Sequence, residues 1–302
     1  MSKAEWVALG TLPGVGGSTL RRLLARFGSL DAILAAGEAE LLAVARIGPR
    51  TAAALRQADV PAAERLLYQL SNEGISTLTW DDADYPTPLR ELRDAPPVLF
   101  VRGGWTPADA CAIAIVGTRT PTPAAAQAAA RLAAEMAGRG VSVVSGLAIG
   151  VDTAAHRGAL AAGGRTLAIL GSGLHKIHPR SNADLAETIA GQGALLSEWH
   201  PDCKPAPAQL VARNRLISAL SLWTVIVESG VAGGSMRAAE FARRQGRVVA
   251  AVPGSAGAEA LLAAGALPID VQNQDWDALA ERIRQTKPAP AGAPRQLDLP
   301  IP

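Results

Sequence analysis

Glycines, hydroxyls and cations follow a series of short apolar runs, and they are the residues best suited to chemistry. Gly117, Thr118 and Arg119 offer backbone N–H groups, a hydroxyl and a guanidinium directly after the run that ends at Val116. Successive backbone N–H groups beside an arginine form a pocket for an anion such as phosphate. Several such pockets along one edge would follow a chain of phosphates, which is the backbone of a nucleic acid strand. The candidate residues from this pattern are Gly117, Thr118, Arg119, Ser145, Gly146, Gly171, Ser172, Gly173, Lys176, Arg213, Asn214 and Arg215.

The standard catalytic and phosphate motifs do not fit the chain. No Gly-Lys-Ser or Gly-Lys-Thr occurs, which excludes a Walker A loop, and no Gly-x-Ser-x-Gly elbow occurs. Lys176 stands where the third glycine of a dinucleotide fingerprint would follow Gly173. Asp152 and His156 lie one helical turn apart, so we interpret His156 as a structural histidine and not as part of a triad with Ser145. No Cys/His cluster has the spacing of metal ligands.

The elements that position these residues are strands of a parallel sheet. Short apolar runs that alternate with helical patterns predict such a sheet, covered by helices on both faces. In open sheets of this kind ligands bind beyond the carboxyl ends of the strands, so the candidate residues should meet at one edge. A helix is predicted over Val211 to Leu220. The predicted strands are Ala112–Val116, Val141–Ser145, Thr166–Leu170, Ala194–Ser197, Trp223–Glu228 and Val248–Val252.

The chain divides by composition into four segments. Residues 1–80 predict a helical domain, 81–110 a Pro-rich connector with a short strand from Val98 to Val101, 111–286 the α/β domain, and 287–302 a disordered Pro/Ala-rich tail. Two glycine turns near Gly14 and Gly48 resemble helix-hairpin-helix motifs, whose backbone N–H groups suit a phosphate. The alternative is a module for packing or for a partner protein, because acids and bases nearly balance there.

Composition restricts the classes of function that remain. The chain has 302 residues, of which 49% are hydrophobic and 19% charged, as expected for a globular protein. No apolar run reaches the roughly 18 to 20 residues of a membrane span, and no signal peptide is evident. Only two cysteines occur, which favours a reducing cytoplasm.

Net charge is +2, but ten Lys/Arg against six Asp/Glu between Ala112 and Ala219 leave a local excess of four cations. Aromatic residues make up 4%; Trp199, His178 and His200 are the nearest candidates for base stacking.

Eight segments of the chain form a series of motifs. They run, in order, Ile115 to Arg119, Val143 to Leu160, Thr166 to Leu174, His178 to Leu185, Leu195 to Pro201, Arg213 to Ser221, Val225 to Gly230 and Gly246 to Gly254. Their order and number resemble the DprA/Smf family of bacterial DNA-processing proteins, and they cover about half of the chain. The helical N-terminal module is similar to the SAM-like domain of that family.

This resemblance implies more than the residues alone predict. It implies an extended Rossmann-like domain that binds single-stranded DNA, forms a homodimer and loads the RecA recombinase in natural transformation. It implies no catalytic activity and no cofactor. By the family pattern the binding pocket uses Gly117, Thr118 and Arg119, with Asn182 added to the surrounding residues.

Some positions depart from the family pattern and leave alternatives open. Leu210, Val211 and Ala212 replace a Phe-Pro-x sequence before Arg213, and Met236-Arg237-Ala238 replaces a Leu-x-Thr sequence. These changes bear on the dimer surface and on the path of the DNA.

A second hypothesis is an enzyme of the nucleoside-monophosphate phosphoribohydrolase type, with Gly233 to Ser235 and Glu240 in its site. For Arg119 itself the alternative role is an ion pair that holds the sheet together, for instance with Glu228.

Overall fold

The computed structural model describes residues 2–287, so the predicted tail lies, apart from Lys287, outside the described residues. The chain begins with a helical module of six short helices. Ser2 caps the first of them: its hydroxyl accepts a hydrogen bond from the backbone N–H of Glu5. The helices are α1 (Lys3–Gly10), α2 (Gly17–Phe27), α3 (Leu30–Ala35), α4 (Glu38–Leu42), α5 (Pro49–Leu55) and α6 (Val60–Asn72).

The rest of the described chain alternates strands with helices around one sheet, as the apolar runs predicted. The elements are β1 (Ile75–Thr79), α7 (Thr87–Arg90), β2 (Val98–Gly103), β3 (Ala112–Val116), α8 (Pro123–Ala137), β4 (Ser142–Ser145), α9 (Val151–Ala161), β5 (Thr166–Ile169), α10 (Ala183–Gln192), β6 (Ala194–Ser197), α11 (Pro207–Ala212), α12 (Asn214–Ala219), β7 (Trp223–Ile226), α13 (Gly234–Arg244), β8 (Val248–Ala251), α14 (Ala256–Ala263), β9 (Leu267–Pro268) and α15 (Trp276–Gln285). The helix predicted over Val211 to Leu220 was wrong in detail, because α11 and α12 meet there with a break at Arg213.

The nine strands form one sheet in the order β1-β2-β6-β5-β4-β3-β7-β8-β9. All pairs from β6 to β9 are parallel, whereas β1 pairs with β2 and β2 with β6 in antiparallel fashion. Strand order reverses at β3, whose neighbours are β4 on one side and β7 on the other. This reversal opens a crevice beyond the carboxyl ends of β3 and β7.

Alternate residues of each strand enter two different cores. Ile113, Ile115 and Val225 pack against α8, α9 and α15 on one face of the sheet. Ala114 and Val116 pack with α12, α13 and α14 on the other face. The period of two residues in a strand explains this division. The prediction of an α/β fold with helices on both faces of a mostly parallel sheet is confirmed.

The helical module and the sheet share a core. Leu9, Leu20 and Leu70 of the module belong to the same apolar cluster as Phe100 of β2 and Leu195 of β6. β1 and β2 also come from the segments 1–80 and 81–110, so both segments contribute to the sheet. The division of the chain at residues 80 and 110 stays a prediction. Among residues 2–287 no helix is both long and apolar enough to cross a membrane.

Two turns in the helical module have the same backbone conformation. Gly14 (φ 79°) and Arg46 (φ 64°) both lie in the left-handed region, one residue before an inward-facing Val15 or Ile47. A glycine N-cap then begins α2 and α5 in the same way. At the first turn Gly14 and Gly16 are exposed, whereas Gly17 packs directly against the carbonyl oxygen of Ala95. The second turn is exposed.

Candidate nucleic-acid interface

A cavity of about 500 Å³ lies at the crevice where the strand order reverses. Its floor is the loop Gly117 to Arg119 after β3, and one wall is formed by Ser229 and Gly230 after β7. The N-terminus of α13 and the helix α11 complete the wall. Other lining residues are Val116, Ala148, Asp152, Pro207, Leu210, Val211, Arg213, Asn214, Gly233, Gly234 and Ser235.

The loop after β3 is fixed by its backbone and leaves one cation free. The N–H of Thr118 donates to the carbonyl of Glu228 (2.7 Å), and the carbonyl of Thr118 accepts from the N–H of Val151 (3.2 Å). A side chain at Gly117 would lie 2.6 Å from Val151, so only glycine fits this close approach. Arg119 is exposed and makes no hydrogen bond or ion pair with any residue in 2–287.

The alternative role considered for Arg119, an ion pair with Glu228, does not occur in the structure. The Glu228 carboxylate instead accepts hydrogen bonds from the backbone N–H (3.1 Å) and hydroxyl (2.8 Å) of Thr122. Thr122 is the N-cap of α8. Glu228 therefore holds the start of α8 against the end of β7, and Arg119 remains available to an anion.

Arg213 has the opposite environment, since it is only 5% exposed. Its guanidinium donates to the carbonyl oxygens of Gly146 and Ile169, the latter at 2.6 Å, and its Nε donates to Leu210 (3.2 Å). One terminal nitrogen lies 3.7 Å from a carboxylate oxygen of Asp152. These bonds join the ends of β4 and β5 to α11. The guanidinium fills the space above Gly146, where any Cβ would collide with it.

Asp152 is the buried carboxylate that faces Arg213. It accepts hydrogen bonds from the backbone N–H groups of Gly146 (3.1 Å) and Ala148 (3.3 Å). Burial raises its pKa, and the positive charge of Arg213 opposes that shift. Burial also lowers the pKa of Arg213, while Asp152 raises it. The pair organises the loop between β4 and α9 behind the cavity.

Hydrogen bonds of two buried polar side chains, Ser145 and Asn182, stabilise the loop between β4 and α9. Ser145 is buried and its hydroxyl donates to the carbonyl of Ile115 (2.7 Å), which ties β4 to β3. The Asn182 amide donates to the carbonyl of Leu147 (2.9 Å), a residue held at φ 62°.

His156 is structural, in agreement with the interpretation from the sequence. Its Nε2 accepts from the N–H of Leu147 (3.3 Å), so Nδ1 carries the proton and donates to Thr166 Oγ1 (2.7 Å). Thr166 in turn donates to the carbonyl of Val143 (2.8 Å). Burial, helped by the charge of Arg213, lowers the pKa of His156 to about 3.

The turn after β5 lies under other chain segments. Gly171 packs against the backbone of Leu210 and Gly173 against the carbonyl oxygens of His200 and Pro201. Ser172 is buried, and its carbonyl accepts from the hydroxyl of Ser197 (2.7 Å). Lys176 is 43% exposed and lies 3.8 Å from Asp202. Lys176 is thus the residue of this turn with an exposed charge. None of the four predicted site residues in the turn lines the described cavity.

Arg215 also faces inward. It makes two hydrogen bonds to the Glu198 carboxylate (2.8 and 2.6 Å) and a third to Asp94 (2.9 Å). Asn214 is buried and donates to the carbonyl of Gly234 (3.2 Å). Two cations of the triplet 213–215 are therefore paired within the protein, and the DNA-contact role predicted for them stays a prediction. Arg119 is the predicted cation that lines the cavity with a free guanidinium.

The N-terminus of α13 is also part of the site, although the sequence analysis assigned its residues only to the enzyme hypothesis. Gly233 and Gly234 begin α13 at the cavity, with no side-chain cap on the helix. The Ser235 hydroxyl donates to Ser229 Oγ (2.8 Å), which fixes the turn before the helix. The available signal was the pair of glycines seven and eight residues after the end of β7. A helix N-terminus beside Arg119 adds N–H groups and a partial positive charge to the same cavity.

The sequence matches two family models and several known proteins. The family model for DNA recombination-mediator protein A matches residues 76–279, and a helix-hairpin-helix model matches residues 6–58. The DNA processing protein DprA of Bacillus subtilis is 36% identical over 236 residues, which are 76% of this chain and 80% of that protein.

Two solved structures are similar over long stretches. The X-ray structure of DprA from Streptococcus pneumoniae has a TM-score of 0.79 at 27% identity and covers 93% of this chain and 98% of that one. The structure of DprA from Helicobacter pylori, described with its single-stranded DNA binding mode, has a TM-score of 0.62 at 32% identity and covers 69% and 96%. With the model matched from β1 to α15, the chain belongs to the DprA/Smf family of DNA recombination mediators.

Proposed function

We propose that this protein binds single-stranded DNA at the cavity beyond β3 and β7. The observation that carries the proposal is Arg119, which is an exposed guanidinium without a partner in residues 2–287, next to a fixed loop and an uncapped helix N-terminus. A guanidinium binds phosphate by two parallel hydrogen bonds, and the α13 N–H groups favour the same negative charge. The similarity to the Helicobacter pylori protein supports a single strand as the ligand.

The biological role that we propose follows from the family. The bound strand is protected and passed to a RecA recombinase during natural transformation, and the protein acts in the cytoplasm as a homodimer. Neither step needs a cofactor, and the proposed activity is binding without catalysis. Gly117, Thr118 and Arg119 contact the strand in this proposal, whereas Ser145, Gly146, Asn182 and Arg213 position the loops around it.

The enzyme hypothesis has less support from the geometry. A phosphoribohydrolase needs a carboxylate that faces the substrate, and the sequence offered Glu240 for this role. In the structure Glu240 lies in the second turn of α13 and pairs with Arg237 at 2.9 Å. Among the described residues that line the cavity, Asp152 is the sole carboxylate, and two backbone N–H groups already bind it.

The test compares Arg119→Ala with Arg244→Ala in binding to a fluorescent oligo-dT strand. Arg244 is also exposed and unpaired among residues 2–287, but it lies at the far end of α13, about 15 Å from the cavity at 1.5 Å per residue. A charge-assisted contact contributes roughly 1.5 to 3 kcal/mol, so Arg119→Ala should weaken binding about 10- to 100-fold. The salt dependence should flatten by about one counterion.

Both variants should melt at the temperature of the wild type, because neither side chain has a partner in the described fold. Equal affinities of Arg119→Ala and Arg244→Ala would show that the cavity is not the binding site. Release of free base from nucleoside monophosphates by the wild type would favour the enzyme hypothesis instead.

A further inference from the structure

The apolar side chains around the cavity are the second unusual feature of this edge of the sheet. Residues 2–287 contain five large apolar side chains that are exposed, and three of them stand at the cavity. Val211 (42% exposed) lines it, Ile149 (52%) follows the lining residue Ala148, and Val231 (51%) follows Gly230. We call Ile149, Val211 and Val231 the apolar rim. Single exposed aliphatic residues are common, but three around one cavity indicate a ligand with an apolar part.

The rim residues are held outward by the structure. Ile149 lies in the loop between β4 and α9, which is fixed by the bonds of Gly146 and Ala148 to Asp152 and by the bond of Asn182 to Leu147. Gly150 (φ 91°) then packs against the carbonyl of Thr118.

Val231 and Val211 are placed in comparable ways. Val231 is the second residue of a turn closed by the N–H of Gly233 and the carbonyl of Gly230 (2.9 Å). Val211 stands on α11, a helix with no buried residue. The exposure of the rim is therefore built into fixed turns, and binding would cost little ordering entropy.

We propose that the apolar rim contacts the bases of a single strand whose phosphates lie against Arg119 and the N-terminus of α13. This inference rests on the proposed function, and it explains why the protein would bind unpaired bases in preference to a duplex. A single strand presents its base faces and phosphates together, whereas a duplex hides its base faces by stacking. A cation and uncapped N–H groups beside aliphatic side chains match that combination of negative charge and apolar surface.

Two of the three aromatic candidates lie further away. Trp199 and His200 follow β6, and β6 is three strands from β3 in the sheet, or roughly 14 Å at about 4.8 Å per strand. Trp199 is also partly buried, with its N–H enclosed by the protein. Aliphatic contacts from the rim therefore take the place that aromatic stacking has in other single-strand sites.

The experiment uses the full chain with the double substitution Ile149→Ser and Val231→Ser. Binding is measured by fluorescence anisotropy to an oligo-dT strand and to an abasic strand of the same length, which has the phosphates without the bases. Loss of the two half-exposed side chains should weaken oligo-dT binding about tenfold, because the bases would no longer bury the apolar area of these side chains. Binding of the abasic strand should stay unchanged. Tyr68→Ser removes another exposed large side chain, 74% exposed on α6 and outside the cavity, and serves as the control.

The outcomes separate this inference from the proposed function. If the wild type binds oligo-dT and the double variant binds it equally well, the rim does not contact bases and the single-strand proposal stands. The same conclusion follows if the variant loses affinity equally for both strands, or if it changes only the molar mass by light scattering, which would make the rim a protein interface. If the wild type binds neither strand, both proposals fail. A melting temperature close to that of the wild type verifies the fold, since both positions are on the surface.

Discussion

Arg213→Ala should damage the fold and not merely the DNA site. Arg213 is 5% exposed and donates to three carbonyl oxygens, those of Gly146, Ile169 and Leu210. Its removal takes this donor from the three oxygens and leaves the buried Asp152 carboxylate without its counter-charge. Breaking a buried ion pair by removing one partner costs about 3 to 5 kcal/mol. We therefore expect a loss of this size in the free energy of unfolding.

The pH dependence of that loss has a definite sign. Burial raises the pKa of Asp152, and the variant lacks the positive charge that opposes this shift. The folded variant then binds a proton that the unfolded chain releases, so its stability falls as pH rises through the folded pKa of Asp152. The deficit against the wild type should be largest at neutral pH and should shrink toward pH 4. Urea unfolding followed by tryptophan fluorescence at several pH values measures it.

A matched double variant separates charge from packing. Arg213→Met with Asp152→Asn removes both charges and keeps most of the volume, so it should recover part of the stability lost in Arg213→Met alone. The reasoning is refuted if Arg213→Ala unfolds at the same urea concentration as the wild type while its affinity for oligo-dT drops. That result would make Arg213 a direct contact to DNA and would place it beside Arg119.

The remaining predictions concern the buried histidine and the helical module. The pKa of His156, about 3 in the fold, lies below its unfolded value, so the protein should lose up to about 1.4 kcal/mol per pH unit as pH falls from 6.5 toward 3. His156→Gln should flatten this slope in acid unfolding; an unchanged slope would assign the acid sensitivity to other groups. In the exposed second turn of the helical module, Arg46→Ala with Arg50→Ala should weaken binding to a duplex at least about 100-fold if the turn holds phosphate, because two charge-assisted contacts of roughly 1.5 kcal/mol or more each are lost. Unchanged duplex binding in a gel shift would favour the packing alternative.

The strands and their glycine turns were readable from the sequence, because a strand buried on both faces needs a continuous apolar run. Ala194–Ser197 was predicted at the observed bounds, and the strands beginning at Thr166 and Trp223 ended one and two residues earlier than expected. β1 was missed, because its buried residues Ile75, Thr77 and Thr79 alternate with more exposed ones and form neither a continuous apolar run nor a Gly-rich strand end. Its place at the edge of the sheet depends on pairing with β2, whose residues lie 19 to 27 positions further along the chain.

The sequence also located the candidate cations, since Arg119 follows a predicted strand and Arg213 and Arg215 lie in the first half of the helix predicted over Val211 to Leu220. It did not determine which of them face solvent. Arg215 is paired with Glu198 and Asp94, the latter 121 residues away, and Arg213 is enclosed by the ends of β4 and β5. Arg119 meets no carboxylate, because Glu228 bonds to Thr122. A cation becomes a structural or a binding residue according to the groups that the fold brings opposite it. Local sequence can supply the guanidinium, but only tertiary structure decides whether its charge is already compensated.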